Sequence, residues 1–293
     1  MNSVATPGKT RSIVRRKGLQ PRKTRGQNFL VDANIVRNIV RASGLGPADM
    51  VVEIGPGLGA LTQELAERAG MVIAVEIDRE LLSSLKETLA GITNVKLVEA
   101  DALKVNFDSL VARYATEDGG RLPTYKVVAN LPYYITTPLL MHLLLNRFNI
   151  SEMILMVQAE VGYRMLAAPG NKEYGALSVV VQYFSQPTRL FKVPPTVFYP
   201  RPRVDSLVVK LTLRPYQQIK DLDEDLFFLV VRTAFNQRRK TLLNALAKLD
   251  LPKEILAQAL QGAGIDPRWR GETLNIAQFA ALTTALQRYW ERR

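Results

Sequence analysis

Residues 50–62 read MVVEIGPGLGALT, and this stretch decides the fold. The apolar run 50–54 predicts a buried strand, and apolar residues at helical spacing over residues 60–69 predict a helix. Between them, Gly55 and Gly57 allow the backbone to approach a ligand closely, and the start of the helix offers free N–H groups. The stretch therefore predicts a strand, a ligand-binding loop and a helix of an α/β fold.

Two further apolar runs, residues 71–77 and 95–98, each carry an acid at or just beyond their end. Glu76 lies where nucleotide-binding α/β folds place a carboxylate on ribose hydroxyls, and Asp101 is suited to accept a hydrogen bond from an adenine amine. Either acid alone is more simply a solvated loop residue. Together with the glycine loop, whose spacing differs from the dinucleotide fingerprint GxGxxG, they predict a nucleoside site at the carboxyl ends of parallel strands.

A fourth apolar run, residues 125–129, closes in the tetrad Asn130-Leu131-Pro132-Tyr133. Adenine N6 is a poor nucleophile because its lone pair is delocalised into the ring. The Asn130 side-chain oxygen and the Leu131 carbonyl are suited to accept the two N6 hydrogens, and the Tyr133 ring to stack on the base. The alternative is an ordinary turn after a strand. With the glycine loop upstream, the tetrad indicates a methyl donor held beside a flipped adenine.

Composition excludes several other kinds of site. The chain has no cysteine and one histidine, His142, which lies in an apolar helical stretch. A disulfide framework, a cysteine-ligated zinc and a thiolate nucleophile are therefore excluded, and a Ser-His-Asp hydrolase or a histidine metal site is disfavoured. We expect no metal. Methyl transfer from a sulfonium suits this composition, because the protein then mainly orients the donor and the acceptor.

The ordered motifs resemble those of the ribosomal RNA adenine dimethyltransferase family, in its small-subunit group, with the macrolide-resistance methyltransferases as close relatives. The match runs from about residue 20 to the end. The segments that carry it are 26–30 (GQNFL), 53–62 (EIGPGLGALT), 76–78 (EID), 99–102 (EADA), 130–133 (NLPY), 198–206 (FYPRPRVDS) and 235–241 (FNQRRKT).

The resemblance implies an S-adenosylmethionine-dependent enzyme that methylates N6 of two adjacent adenosines near the 3′ end of small-subunit ribosomal RNA. It assigns Phe198 to the target adenine, sandwiched opposite Tyr133; the alternative is a strand-end aromatic packed under the proline-rich turn. The catalytic set is then Asn130, Leu131, Tyr133 and Phe198. The positions implied for S-adenosylmethionine are Asn28, Leu30, Gly55, Gly57, Glu76, Asp101 and Asn130.

Positive charge is concentrated at the two ends of the chain. The formal net charge is +12, yet residues 27–213 hold eighteen basic and eighteen acidic residues, whereas residues 1–26 hold eight basic residues and no acid. A basic excess favours a polyanionic partner, here small-subunit ribosomal RNA or the assembling subunit. The alternative is a solvated tail and an ordinary basic surface. The candidate RNA contacts are Arg201, Arg203, Arg238, Arg239 and Lys240.

These patterns predict three parts: a basic arm at residues 1–26, a Rossmann-like methyltransferase domain of α/β class at 27–213 and a small all-helical RNA-binding domain at 214–293. Further strands are predicted at 153–158, 176–184 and 207–213. Helices are predicted at 224–236, 240–249, 253–262 and 276–290. No secretory signal or membrane span is recognisable, so we expect a cytoplasmic, bacterial-type protein, without membrane association and monomeric.

Two alternatives stay open at this point. One is a large-subunit adenine methyltransferase of the macrolide-resistance type, since it shares the catalytic motifs, although residues 235–241 look more like the small-subunit group. The other is a nucleic-acid-binding factor that retains the fold without activity; intact Glu76, Asp101, Asn130 and Tyr133 favour the enzyme.

Overall fold

The computed structural model describes residues 4–19, 27–115, 122–215 and 222–290. The chain divides into two compact units. The first comprises Met1–Gly162 and Gln186–Leu213, and the second comprises Tyr163–Ser185 and Arg214–Arg293. The predicted parts at 1–26 and 27–213 thus belong largely to the first unit, while residues 163–185 belong with the carboxyl-terminal residues.

The described residues form nine strands and twelve α-helices. The strands are β1 (Phe29–Leu30), β2 (Met50–Ile54), β3 (Met71–Glu76), β4 (Val95–Glu99), β5 (Tyr125–Asn130), β6 (Ile150–Gln158), β7 (Ser185–Val193), β8 (Phe198–Tyr199) and β9 (Ser206–Leu213). The helices are α1 (Pro7–Arg16), α2 (Ala33–Ala42), α3 (Ala60–Ala66), α4 (Arg79–Thr88), α5 (Phe107–Ala112), α6 (Thr136–Leu145), α7 (Ala159–Leu166), α8 (Ala176–Phe184), α9 (Glu224–Phe235), α10 (Leu242–Leu246), α11 (Lys253–Gly262) and α12 (Ile276–Trp290).

A seven-stranded sheet organises the first unit, in the order β4-β3-β2-β5-β6-β9-β7. Five adjacent strands run parallel to one another, in the order β4, β3, β2, β5 and β6. Strand β9 then pairs with β6 in the antiparallel direction. The apolar residues of the central strands are buried, with Val51, Val127 and Leu155 fully covered, whereas those of the edge strand β4 are partly buried. The predicted α/β fold is confirmed.

The strand order places the glycine loop beside the tetrad. From β2 the chain builds outward through β3 and β4, and then returns to add β5 on the other side of β2. In such a sheet the crevice where the order reverses opens at the carboxyl ends of the strands and binds ligands. Here that crevice lies between the ends of β2 and β5, at Gly55 and Asn130.

Glu53 is a carboxyl group inside this apolar sheet. Only 1 % of its surface is exposed, and its Oε2 atom has no hydrogen-bond partner among the described residues. Burial raises the pKa of the Glu53 carboxyl to about 8; the Thr62 hydroxyl offsets part of this rise and the charge of Glu76 adds to it. The protonated form is therefore favoured at neutral pH, because it avoids an ion in a desolvated site.

The amino-terminal segment is not a free arm. Residues Pro7–Arg16 form α1, whose Thr10, Ile13 and Val14 are buried at helical spacing. The helix packs in a cluster that includes Phe29 and Leu58. The sequence analysis missed this apolar face because basic residues outnumber the buried ones in the helix. The separate arm predicted for residues 1–26 is therefore corrected for the part that the structure describes. Residues 1–3 and 20–26 lie outside the described ranges.

The strand predicted at residues 176–184 is also wrong, because those residues form the helix α8. The Gly175 backbone N–H donates to the Ser178 hydroxyl, which in turn donates to the Arg164 carbonyl and fixes the start of the helix. A short continuous apolar run does not distinguish a buried strand from a buried helix. The strand of this region is β7, which begins at Ser185.

The second unit is built from α8 to α12 around its own apolar core. Leu226, Phe227, Leu256, Phe279 and Leu282 are among its buried residues. The helices predicted at 224–236, 253–262 and 276–290 are present within a residue of their predicted ends, and 240–249 is reduced to α10 and a short 3₁₀ turn. Among the described residues, no helix is both long enough and apolar enough to cross a membrane.

The raised pKa of Glu53 predicts a pH-dependent stability. Between the ordinary carboxyl pKa and about 8, the folded protein keeps a proton that the unfolded chain has lost, so this group makes the free energy of unfolding fall as pH rises. The Glu53→Gln variant has no ionisable carboxyl at this position, so its free energy of unfolding does not fall for this reason. The difference in free energy of unfolding between the variant and wild type should therefore grow in favour of the variant by a few kcal/mol, in order of magnitude, from about pH 5 to about pH 8, as measured by denaturant unfolding.

The exposed Glu67, just after α3, provides the control for this measurement. Glu67→Gln should track wild type across the same pH range. A difference between Glu53→Gln and wild type that does not change with pH would contradict the assignment.

Candidate active site

One pocket in the first unit gathers the motifs that were far apart in sequence. Its walls come from the amino-terminal residues, the segment around β1, the loop after β2, the end of β3 and the tetrad after β5. Of the predicted site residues, the ones that line it are Asn28, Leu30, Gly55, Gly57, Glu76, Asn130, Leu131 and Tyr133. The sheet topology thus brings together most of the site predicted from sequence.

The glycine loop forms the floor of this pocket. Gly55 has a φ angle of 71°, and a Cβ atom placed on it would lie 3.6 Å from the Pro132 ring. Gly57 has a φ angle of 61°, and a Cβ atom there would lie 3.1 Å from the Phe29 ring. Both positions need the left-handed backbone region that favours glycine, and both are covered closely by other parts of the site.

Glu76 is held in place by backbone N–H groups at the end of β3. Its Oε1 atom accepts hydrogen bonds from Ile77 and Asp78, each at 2.9 Å. Burial raises the pKa of the Glu76 carboxyl, while the N–H groups of Asp78, Gly57 and Ile77 lower it. A carboxylate offers about four acceptor positions, so Glu76 keeps capacity for ligand hydroxyls.

The side chain of Asn130 is oriented by the segment before β1. Its Nδ2 group donates to the Asn28 carbonyl at 3.2 Å, which leaves its Oδ1 as the acceptor for a ligand. The neighbouring Leu131 donates its backbone N–H to Met156, and its carbonyl accepts no hydrogen bond from a described residue. Two acceptors, one side-chain and one backbone, are therefore available at the end of β5.

Tyr133 completes the acceptor side of the pocket. Its hydroxyl is 2.9 Å from the Ser206 hydroxyl at the start of β9. Burial raises the pKa of the Tyr133 phenol, and the Ser206 contact offsets part of that rise. The phenol is thus neutral and tied at its far end, which limits rotation of a ring that lines the pocket.

Phe198 is paired with the pocket wall but is not part of the lining. Strand β8 runs antiparallel to β1, with Phe198 opposite Leu30. Only 4 % of Phe198 is exposed, and it packs in a cluster with Leu30 and Val193. The structure therefore places it as a packed strand-end aromatic, the alternative noted above, and its stacking on the target base stays a prediction.

Asp101 also lies outside the lining of the pocket. Its Oδ1 accepts from the Leu103 N–H at 3.0 Å, so it caps the turn after β4. The preceding residue, Ala100, donates its N–H to the Glu76 carbonyl, which places the end of β4 beside the end of β3. The role of Asp101 toward adenine stays a prediction.

Several lining residues were missed by the sequence analysis. Val4 and Thr10 reach the pocket from the amino-terminal segment, where the Thr10 hydroxyl donates to the Val4 carbonyl at 3.0 Å and Gln63 accepts the Val4 N–H at 3.0 Å. Glu53 and Tyr134 line it as well. A charged residue inside an apolar strand was the available signal for Glu53.

The predicted RNA contacts differ in their surroundings. Arg201 and Arg203 are exposed. Arg238 is instead engaged within the second unit, where its Nη2 donates to the carbonyls of Lys172 and Tyr174 at 2.6 and 2.9 Å. These bonds give Arg238 a role in anchoring the 172–174 loop, and since its side chain is also exposed, its role as a phosphate contact stays a prediction.

His142, the single histidine of the chain, has a structural role. His142 contacts the Val105 carbonyl at 2.9 Å and packs against Phe107 and Phe148. Within the described ranges, no group of three or more His, Cys, Asp or Glu side chains is arranged to hold a metal ion.

The comparison with known proteins agrees with this geometry. The family model for ribosomal RNA adenine dimethylase matches residues 18–288. A ribosomal RNA small subunit methyltransferase A from Moorella thermoacetica is 69 % identical over 287 residues, which cover 98 % of this chain and 100 % of that protein. The protein of the same name from Pelotomaculum thermopropionicum is 55 % identical, covering 95 % of this chain and 96 % of its own.

Solved structures of less similar proteins also resemble this chain. A dimethyladenosine transferase from Plasmodium falciparum has a TM-score of 0.73 at 26 % identity, covering 89 % of this chain and 98 % of its own. The 23S rRNA methyltransferase ErmE has a TM-score of 0.65 at 26 % identity, covering 89 % and 100 %. The resemblance predicted from the motifs is confirmed: this chain belongs to the ribosomal RNA adenine dimethylase family.

Proposed function

We propose that this protein transfers methyl groups from S-adenosylmethionine to N6 of two adjacent adenosines near the 3′ end of small-subunit ribosomal RNA. One observation carries the proposal: a single pocket is lined by the Glu76 carboxyl, which is suited to a ribose diol, and by the two acceptors of Asn130 and Leu131. The names of the close relatives, small-subunit methyltransferases over nearly their whole length, support the choice of RNA.

The residues of the pocket fit S-adenosylmethionine. The open acceptor capacity of Glu76 suits a ribose diol, and the glycine loop leaves room beside the backbone for the nucleoside. Two carboxyl groups, Glu53 and Glu76, line the pocket; Glu53 favours its protonated form at neutral pH, so Glu76 is the group that can supply negative charge to a positively charged ligand. When bound, S-adenosylmethionine supplies an activated methyl group on its sulfonium.

The acceptor side of the pocket prepares the adenine amine for attack. The Asn130 Oδ1 atom and the Leu131 carbonyl accept the two N6 hydrogens, which draws the lone pair out of conjugation and toward the donor. They also stabilise the positive charge that builds on N6 as its bond to the methyl carbon forms and the carbon–sulfur bond of the donor breaks. The methylated amine then loses one proton to solvent, and S-adenosylhomocysteine is released. Tyr133 stacks on the extruded base, and this contact compensates part of the unstacking cost.

RNA is held outside the pocket by exposed cations. Arg201 and Arg203 follow β8 directly, and α1 adds exposed Arg11 and Arg15. The Arg11 guanidinium lies 5.5 Å from the centre of the Tyr199 ring, which ties the helix to the same segment. We take the enzyme to act as a monomer in the cytoplasm on small-subunit RNA or the assembling subunit, without a metal.

A second candidate is methylation of large-subunit RNA, favoured by the structural likeness to ErmE. One assay distinguishes the two candidate functions. Unmethylated small and large ribosomal subunits are incubated in parallel with the protein and labelled S-adenosylmethionine, and the nucleosides are then analysed by mass spectrometry. Dimethyladenosine in the small subunit alone supports the proposal. Label in the large subunit alone would replace it with the second candidate, and no label in either would leave a binding factor without activity.

The assigned role of Asn130 predicts the phenotype of its alanine variant. Asn130→Ala loses one N6 acceptor, so kcat for methyl transfer should fall roughly 100-fold or more, whereas RNA affinity should change little. Single-turnover transfer and filter binding to the same RNA measure the two effects. The exposed Asn34→Ala on α2 is the matched control and should behave as wild type. Full activity of Asn130→Ala would contradict the assignment.

The exposed face of α1 predicts a contribution to RNA binding that depends on salt. Arg15→Ala removes one cation without touching the buried Thr10, Ile13 or Val14, whereas deletion of the segment would also remove Val4 and Thr10 from the pocket. The slope of log affinity against log salt should fall by about 0.7 to 0.9 if one phosphate contact is lost. Arg41→Ala on α2 provides an equal charge change, and an identical slope for both variants would exclude a specific contact.

A further inference from the structure

Trp269 is a large aromatic side chain left in solvent on the second unit. Its exposed fraction is 41 %, although tryptophan side chains are on average highly buried. The motifs of the family resemblance do not include it. Its exposed ring is accessible to a partner with a flat apolar face.

The backbone around Trp269 is held firmly. The Trp269 N–H donates to the Asp266 carbonyl at 2.9 Å, and Arg268 binds the Asp266 carboxylate through its side chain, with a closest distance of 2.7 Å. The Trp269 carbonyl accepts from the Leu242 N–H at 2.7 Å, and Pro267 accepts from Leu243 at 3.3 Å. This turn therefore lies against the start of α10, directly after the basic segment 238–240.

The cations around this turn fall into two groups. Arg238 and Arg268 are engaged by acids of their own unit, Glu272 and Asp266 respectively. The other three, Arg239, Lys240 and Arg270, are exposed and form no salt bridge with a described residue. Three uncompensated positive charges thus lie on Arg270, next to Trp269 in the chain, and on residues 239–240, just before the α10 start that the Trp269 carbonyl contacts.

We propose that Trp269 is a stacking platform for an unpaired base of the RNA substrate, with Arg239, Lys240 and Arg270 on the flanking phosphates. The combination of an aromatic face and a positive border is how proteins bind single-stranded nucleic acid, since every base presents a π face and every nucleotide a charge. Protein interfaces also favour Trp and Arg, but their cores are depleted of charged residues as a class, so three uncompensated cations near this turn favour a polyanion. The proposal rests on the proposed function, because it takes the partner to be the same ribosomal RNA.

Trp269 itself provides the readout. The chain has two tryptophans, so Trp290→Phe leaves Trp269 as the only one in the full-length protein. A protein-free RNA fragment from the 3′ region of the small-subunit RNA is titrated into this variant. Stacking on a base should quench and shift the indole fluorescence in a saturable way, with no need for S-adenosylmethionine.

Two substitutions distinguish the contribution of the aromatic ring to RNA binding from the contribution of side-chain volume. Trp269→Leu keeps an apolar side chain and should weaken RNA binding roughly 5- to 150-fold, whereas Trp269→Phe keeps a ring and should lose much less. Arg270→Ala should lower the salt slope by about 0.7, and the exposed Lys253→Ala on α11 should leave it unchanged. Circular dichroism confirms that each variant is folded.

The outcomes distinguish this inference from the proposed function. Suppose that the wild-type protein transfers methyl groups. If RNA then causes no quenching, or if Trp269→Leu binds RNA as tightly as wild type, the stacking site is wrong and the proposed function stands. Quenching by whole subunits but not by protein-free RNA would also overturn it, in favour of a ribosomal protein. If the protein transfers no methyl group but RNA still quenches its fluorescence, the proposed function is wrong and the RNA contact at Trp269 is supported.

Discussion

The site depends on one topological constraint, the parallel pairing of β2 with β5. In that register Val51, Val52 and Glu53 lie opposite residues 126–128, so both strands end at the same edge of the sheet. The loop after β2 therefore meets the tetrad at the end of β5, where a Cβ atom placed on Gly55 would touch the Pro132 ring. In the proposed function these two strand ends hold the methyl donor and the base that receives the methyl group, so a fold that separated the strands would separate donor from acceptor.

Around this crevice, the acceptor groups are held in place by hydrogen bonds to other parts of the first unit. Asn130 is oriented by the Asn28 carbonyl, and Tyr133 by the Ser206 hydroxyl. Asn28 directly precedes β1, which pairs with β8 from the proline-rich motif, so motifs 102 residues apart orient one another. Groups held in this way need no reorganisation during reaction, which is the main contribution a protein makes to a transfer from an already activated donor.

How far the sequence predicts this structure depends on the kind of signal. The glycine loop, Glu76 and the tetrad were predictable because strand ends and tight turns restrict residue type locally. Residues 176–184 were not, since an apolar run fits a buried strand or helix equally. The packing of α1 was hidden because three buried residues were outnumbered by cations, and the burial of Phe198 depends on tertiary contacts that no local pattern encodes.

The most direct test of the account is a crystal structure with S-adenosylhomocysteine, the product left after transfer. The account predicts that its ribose hydroxyls contact the Glu76 carboxylate and that its sulfur faces Asn130 and Tyr133, with the glycine loop unchanged. Binding elsewhere on the protein, or in this pocket with the ribose away from Glu76, would contradict the claim that the two strand ends hold donor and acceptor together.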